Sequence, residues 1–347
     1  MFRFVFVMSI FLSFGILAAD DCCDQSCGCS TSVEVDFLWW DAMGNQLAYG
    51  IVTEGTVDSG VSPIAENLTE RLLRFNPEWK PGVRVQLAHD FDCYDLTLFG
   101  AWTWYETKSV QNTSFVLPST PNAFLSFNSD FIGGVGASLF EFETGDVAAE
   151  YYFKFNRVDL GLLRNCCLGC NLTLSPFAAF TYIYTDEDLT IVADFDNQTT
   201  GFFDQIDYRT RTNYDGYGLT LGVDLDWMFY QCLSLHTRAG LTGLWGCYEV
   251  DNLNVESKGG TVASRDSNVV FQDDDWRGRL YSQIQLGIKY STCICHCPAF
   301  ALLGWEHQVF FNQTNWSVFD GQFGTGATLS ESDLVLQGLV ARAGFSF

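Results

Sequence analysis

The stretch Tyr217-Gly218-Leu219-Thr220-Leu221-Gly222-Val223-Asp224-Leu225-Asp226-Trp227 decides the fold. In an extended chain Tyr217, Leu219, Leu221, Val223, Leu225 and Trp227 share one side, and Gly218, Thr220, Gly222, Asp224 and Asp226 share the other. A period of two is the strand signal. The apolar side is unbroken and ends on an aromatic ring, while the other side carries two carboxylates. A strand with lipid on one face and a polar interior on the other reads this way.

The same alternation recurs outward from this segment. Leu280, Ile284, Leu286, Ile288 and Tyr290 oppose Arg277, Arg279, Gln283, Gln285 and Lys289; Tyr94, Leu96, Leu98, Trp102 and Trp104 oppose Asp95, Thr97 and Thr103. Ten strands are expected, near 31–52, 79–91, 93–106, 147–164, 171–185, 212–229, 232–250, 274–291, 298–313 and 333–347. A further hairpin around 130–142 would make twelve. The phase slips at Asn156–Val158, where a β-bulge would reset it, and 298–312 alternates poorly. Short turns at 89–95, 164–171, 229–233 and 291–298 take turns with long polar connections at 53–78, 106–146, 186–212, 251–273 and 314–332. The first of these holds a helix-like stretch, Ala65 to Phe75. Short turns on one side and long loops on the other predict an all-β, transmembrane, antiparallel up-and-down barrel of about ten strands, with turns periplasmic and loops extracellular. Aromatic clusters at strand ends, such as Trp39 and Trp40 or Trp102 to Tyr105, suit the two headgroup girdles.

Composition excludes the alternatives. Beyond the first 19 residues of the 347, no run approaches the ~18 apolar residues of a spanning helix. With 31 Phe, 14 Tyr and 10 Trp the chain has too much apolar surface for disorder. A net charge of −24 rules against nucleic acid as a partner. Residues 1–19 place Arg3 before an apolar stretch that closes on Ala18 and Ala19, the layout of a cleaved signal peptide. The expected organisation is a signal at 1–19, a cysteine-rich periplasmic segment at 20–30 and a barrel at 31–347, integral to a bacterial outer membrane. The final strand ends on Phe347, a common terminus for such barrels.

Twelve of the 13 cysteines fall in the short turns or before the first strand: Cys22, Cys23, Cys27, Cys29, Cys93, Cys166, Cys167, Cys170, Cys232, Cys293, Cys295 and Cys297. Cys247 stands apart. In this topology the twelve share one side of one membrane, where an oxidising periplasm favours disulfides. The odd total leaves a thiol for an intermolecular bond or a free state. The Cys-x-Cys spacing around His296 is weak zinc evidence, and no metal or other cofactor is expected.

The phasing sends Glu34, Asp36, Asp95, Glu150, Asp224 and Asp226 inward, opposite Arg84, Lys154, Arg238, Arg277, Arg279 and Lys289. Opposed charges of this kind create the transverse field of a diffusion pore. They can equally fill a narrow ten-stranded bore. Porin and plugged barrel share this signature. No HExxH, GxSxG or phosphate-binding loop appears. Asp273 to Asp275 with His307 are the nearest approach to a rim enzyme, and an acidic loop explains the aspartates better, so no catalysis is expected. Asp186-Glu187-Asp188 reads as a solvated loop.

Several further segments stand out: Phe37-Leu38-Trp39-Trp40 with Leu47-Ala48-Tyr49, Trp79-Lys80-Pro81-Gly82-Val83-Arg84-Val85, Val158-Asp159-Leu160-Gly161-Leu162, and Leu174-Ser175-Pro176-Phe177. With Gly216-Tyr217-Gly218 leading to Leu225-Asp226-Trp227, and Leu336-Gln337-Gly338-Leu339 before the terminal Phe347, they resemble the Legionella-type major outer membrane protein family. The resemblance implies an abundant, porin-like surface barrel with no catalytic residues to transfer. Members also occur in Chlamydia-related bacteria, whose cysteine-rich outer-membrane proteins are disulfide-linked and stiffen the envelope; the cysteine load here is similar to that branch. The expected partners are outer-membrane lipid and other cysteine-rich envelope proteins. A homo-oligomer is left open, since no residue pattern marks a subunit interface. A porin for small hydrophilic solutes is the first expectation, and a closed structural barrel or adhesin the alternative.

Overall fold

A computed structural model describes residues 31–44, 48–57, 65–75, 78–91, 96–116, 124–126, 144–196, 205–258, 267–294, 297–320 and 326–347. The expected signal peptide, the cysteine-rich segment at 20–30, Asp95, Cys93, Cys295 and the hairpin suggested at 130–142 lie outside the described residues.

The described elements are β1 (Thr31–Gly44), β2 (Ala48–Val57), β3 (Ala65–Arg74), β4 (Lys80–Phe91), β5 (Leu96–Val116), β6 (Phe124–Ser126), β7 (Thr144–Arg164), β8 (Cys166–Gly169), β9 (Leu172–Asp196), β10 (Gln205–Tyr230), β11 (Leu233–Lys258), β12 (Ser267–Ile294), β13 (Cys297–Asp320) and β14 (Gly326–Ser346). Ten of them pair antiparallel in the closed ring β1-β4-β5-β7-β9-β10-β11-β12-β13-β14, and β14 returns to β1. The short β8 adds an extra strand against β9, and β2, β3 and β6 form a separate three-stranded sheet.

β1, expected over 31–52, ends at Gly44, and Ala48–Val57 pairs in the separate sheet instead; most other ring strands are longer than expected. A tilted strand crosses a bilayer in about 9–11 residues, yet β10 has 26 and β12 has 28. The excess lies at the long-loop end, in segments expected to be loops. There the polarity of the two faces inverts, with Leu189 and Ile191 buried inside and Asp188 and Thr190 outside, while the antiparallel ladder continues. Asp186-Glu187-Asp188 is thus β-strand. Ala65–Phe75 departs from expectation too: its Glu, Leu and Arg content favours helix, but cross-strand pairing with β2 holds Ala65–Arg74 extended.

The outer wall is apolar where it meets lipid. Leu219, Leu221 and Leu303 are 63–66% exposed, and Leu160, Phe180, Leu286 and Ile288 join them on the same surface. So large an apolar surface on a closed barrel is a membrane contact. On β9 the band runs from Leu174 to the girdle residues Tyr182 and Tyr184, which fits the crossing length. Gly218 has a local reason: a Cβ there would sit 1.8 Å from the carbonyl oxygen of Gly243 on the neighbouring strand. At the far end of β13, Asn312 takes a positive φ of 55° beside the register shift between Phe310 and Thr314. Asn tolerates that conformation, and its N–H donates to Asp333 Oδ1 at 3.0 Å.

Candidate functional site in the barrel interior

Ten strands enclose a bore only slightly wider than one that side chains fill outright, and here they fill it. Arg84 is the centre of the network. Its Nη1 and Nη2 donate to Glu306 at 3.1 and 2.8 Å, Nη1 also to Asp36 at 3.1 Å, and Nε to Thr103 at 3.1 Å. Glu306 is fully buried and accepts two further bonds, from Gln283 and Gln308. Asp36 is shared with Arg342, whose Nε and Nη2 donate at 2.7 and 3.0 Å. A guanidinium between two carboxylates, and a carboxylate between two guanidiniums, satisfy one another where isolated charges would be prohibitively costly.

A second cluster abuts the first. Arg157 Nε donates to Asp159, and its Nη1 donates to Tyr281 at 2.7 Å and Gln283 at 2.8 Å. Asp159 also accepts from Thr181, which begins a hydroxyl row through Thr220 to Thr242. Arg238 holds Asp224 by two 2.7 Å bonds and lies over the Phe177 ring. Nearer the short turns, Asp226 meets both His236 and Lys289.

Many of these contacts cross the bore. Between β7 and β12 three strands intervene on one side and five on the other, so Arg157 reaches Gln283 through the lumen. Gln313 on β13 reaches Thr185 on β9 in the same way, at 2.9 Å. Phe155 on β7 and Phe310 on β13 stand on opposite walls, with four strands between them either way, and their ring centroids are 5.5 Å apart. Tyr281 and Phe310 continue that aromatic layer at 4.4 Å. The mid-bore cavity beside Arg84, Gln86, Arg157 and Arg238 measures about 20 Å³, room for about one water. Gln86 Oε1, Gln285 Nε2 and Gln308 Oε1 have no hydrogen-bond partner among the described residues.

Of the residues expected in the lumen, Glu34, Asp36, Arg84, Asp224, Asp226, Arg238, Arg277, Arg279 and Lys289 sit on inward positions. Glu150 and Lys154 do not. The expected bulge at Asn156–Val158 is absent: β7 pairs with β5 and β9 without a register shift, and burial alternates evenly from Val147 through Asp159. Even-numbered residues of β7 therefore face outward, and Glu150 forms an exposed pair with Lys108 on the outer wall. The same unbroken phase brings in Arg157 and Asp159, which sequence reasoning missed. Glu306 was hidden because its strand is apolar on both faces, and Arg342 because its neighbours on the final strand are small and apolar. His307 faces outward opposite Ile284, far along the strand from Asp273 to Asp275, so no rim constellation forms. Among the described residues no group of three metal-ligating side chains converges.

The expected disulfide candidates that are described, Cys166, Cys167, Cys170, Cys232, Cys293 and Cys297, lie at the short-turn end. Cys166 and Cys232 carry free thiols there; Cys247, far along β11 on the outer wall, is also a free thiol. Cys167, Cys170 and Cys293 are not among the free thiols.

The family model described as Legionella pneumophila major outer membrane protein precursor matches residues 29–347. No curated protein sequence matches the chain. Among solved structures it is similar to the outer membrane protease OmpT from Escherichia coli, at 9% identity over 92% of this chain and 96% of that one, with a TM-score of 0.41. It is also similar to the translocator domain of the autotransporter NalP from Neisseria meningitidis (13% identity, 99% and 97% covered, TM-score 0.31). A Pseudomonas aeruginosa FadL homologue matches at 8% identity, with 91% and 89% covered and a TM-score of 0.26. Nothing about this chain's chemistry follows from these likenesses.

Proposed function

The chain belongs to the Legionella major outer membrane protein family and is an outer-membrane β-barrel, and we propose that it serves as a closed structural barrel of the envelope. The observation that carries this reading is the set of contacts across the lumen: Arg157 to Gln283, Gln313 to Thr185, and Phe155 against Phe310. A diffusion pore needs a continuous aqueous path, and these contacts occupy it at successive heights. A barrel locked from within by buried ion pairs resists deformation, which suits a mechanical part of an envelope. In this reading the cysteines at the short-turn end are periplasmic and form disulfides within the barrel and with other cysteine-rich envelope proteins.

The porin reading keeps one observation in its favour. The buried amides of Gln86, Gln285 and Gln308 make the lining of the bore polar rather than apolar. For it to conduct solute, Arg84 and Arg157 would have to leave their partners together. Liposome swelling separates the two. Proteoliposomes of the folded barrel should not swell in small sugars or amino acids; swelling with the smallest of them overturns the closed reading. Non-reducing gels of envelopes should show high-mass adducts that collapse with reductant, and their absence removes the disulfide part.

A further inference from the structure

The long-loop mouth of the bore holds a buried carboxylate that no donor satisfies. Glu187 on β9 faces inward, and neither of its oxygens has a hydrogen-bond partner among the described residues. The inward residues level with it are Phe153 on β7 and Thr212 on β10. Tyr151 stands one inward step further out on β7, and Tyr214 one inward step deeper on β10. Both rings are buried, and both hydroxyls also have no partner among the described residues. Three strands round the ring, Arg277 and Arg279 on β12 lie over the Tyr248 ring of β11 at 5.3 and 5.8 Å. With Tyr105 on β5, and Asp186 beside Glu187 on the outer wall, these are the titratable and charged groups around Glu187 and Tyr151.

A lid lies against this layer. The separate sheet of β2, β3 and β6 leads into Phe75, which follows β3, is itself buried, and meets the Tyr151 ring with centroids 5.7 Å apart. The lid therefore rests on the ring that stands beside Glu187. A carboxylate enclosed without donors holds its proton. Burial pushes the Glu187 carboxyl up to about 8, with Asp186 adding to the rise and Arg279 opposing it. Once the lid lifts, water reaches the carboxyl, its ordinary value near 4.5 returns, and the proton passes to solvent. Seating of Phe75 and protonation of Glu187 are thus linked.

We propose that Phe75 and Glu187 form a proton-operated latch at the outer mouth: the ring stays seated on Tyr151 while the carboxyl keeps its proton, and loss of the proton unseats it. Acid tightens the mouth and neutral pH loosens it. The closed form is fully favoured below about 4.5, the value of the exposed carboxyl, and opening rises about tenfold per pH unit from there to about 8. Above that the dependence flattens, because both forms have lost the proton. The latch lies outside the contacts that close the lumen, so it is independent of whether the bore below conducts.

The test is native-state cleavage of the folded barrel, in uncharged detergent, by thermolysin, which cuts on the amino side of large apolar residues. Cleavage between Arg74 and Phe75 is mapped by mass spectrometry and divided, at each pH, by the rate for a free peptide of residues 70–80. In the wild-type protein that ratio should rise about tenfold per pH unit between about pH 5.5 and 7.5. E187Q carries a permanently neutral side chain of nearly the same shape, and its ratio should rise less than about twofold over the whole range. E249Q, which alters a carboxylate on the outer wall, should keep the wild-type slope. Heat-modifiable gel mobility across the range verifies that the barrel itself stays folded. A flat wild-type ratio overturns the proposal without any variant. An E187Q slope equal to the wild-type one, or an E249Q slope as flat as that expected of E187Q, overturns it too.

Discussion

Arg84→Met isolates the energetics of the plug. The guanidinium makes two hydrogen bonds to Glu306, one to Asp36 and one to Thr103, and both carboxylates are at most 2% exposed. Asp36 keeps Arg342 after the substitution. Glu306 keeps only the amides of Gln283 and Gln308, and loses its ion-pair partner in a site that water barely reaches. Breaking one side of a buried pair costs about 3–5 kcal/mol, mostly as the uncompensated charge of the survivor. With a urea slope of about 1–3 kcal/mol per molar, the unfolding midpoint in detergent should fall by at least 1 M or so. Glu306→Gln removes the charge that Arg84→Met strands, so the double variant R84M/E306Q should recover part of the loss. Tryptophan fluorescence against urea, for the two singles and the double, gives the coupling directly. A loss under 1 kcal/mol for R84M, or a double variant as damaged as the two singles summed, would refute the reasoning.

The remaining predictions follow from burial, facing and close approach. Glu150→Gln and Lys154→Gln should each cost under ~1 kcal/mol because both sit on the outer wall, whereas Arg157→Gln should cost ~3 kcal/mol or more; equal losses in urea titration would mean that the facing of β7 is misassigned. Glu187 lies beyond the lipid band, fully enclosed, and burial pushes its carboxyl up to about 8, with Asp186 adding to the rise. Its folded form holds the proton that the unfolded chain releases near 4.5, so stability should decline as pH rises from about 4.5 to 8, and Glu187→Gln should flatten that decline; an unchanged pH profile counts against it. Gly218→Ala must displace the Gly243 carbonyl, so the variant should lose heat-modifiable mobility or refold poorly, and normal refolding yield would show that the strands have slack.

The barrel was legible in the sequence wherever one face met lipid and the other met polar side chains. All ten ring strands were anticipated in order, most of them because the crossing segment shows that contrast; 298–312 alternates poorly. Their extensions past the membrane were not: in a segment such as 186–196 the outward residues, Asp188 and Thr190 among them, are polar and the apolar Leu189 and Ile191 face inward, so the lipid-facing pattern that marks a crossing strand is lost. The bore was legible in kind but not in outcome. Opposed charges such as Asp224 and Arg238 lie on adjacent strands, and alternation alone brings them together. The contacts that close the lumen join residues up to 222 positions apart, as Arg84 and Glu306 do. No local pattern marks such a pair before the ring order is known. The error on β7 has the same root: Asn156, Val158 and their neighbours permit either phase, and only pairing with β5 and β9 decides between them.

Planar-bilayer recording of the folded, purified barrel, before and after reduction, tests the closed lumen most directly. The account predicts a silent baseline in both redox states from protein that shows heat-modifiable mobility. Discrete, reproducible conductance steps in both states would contradict it and return the protein to the porins.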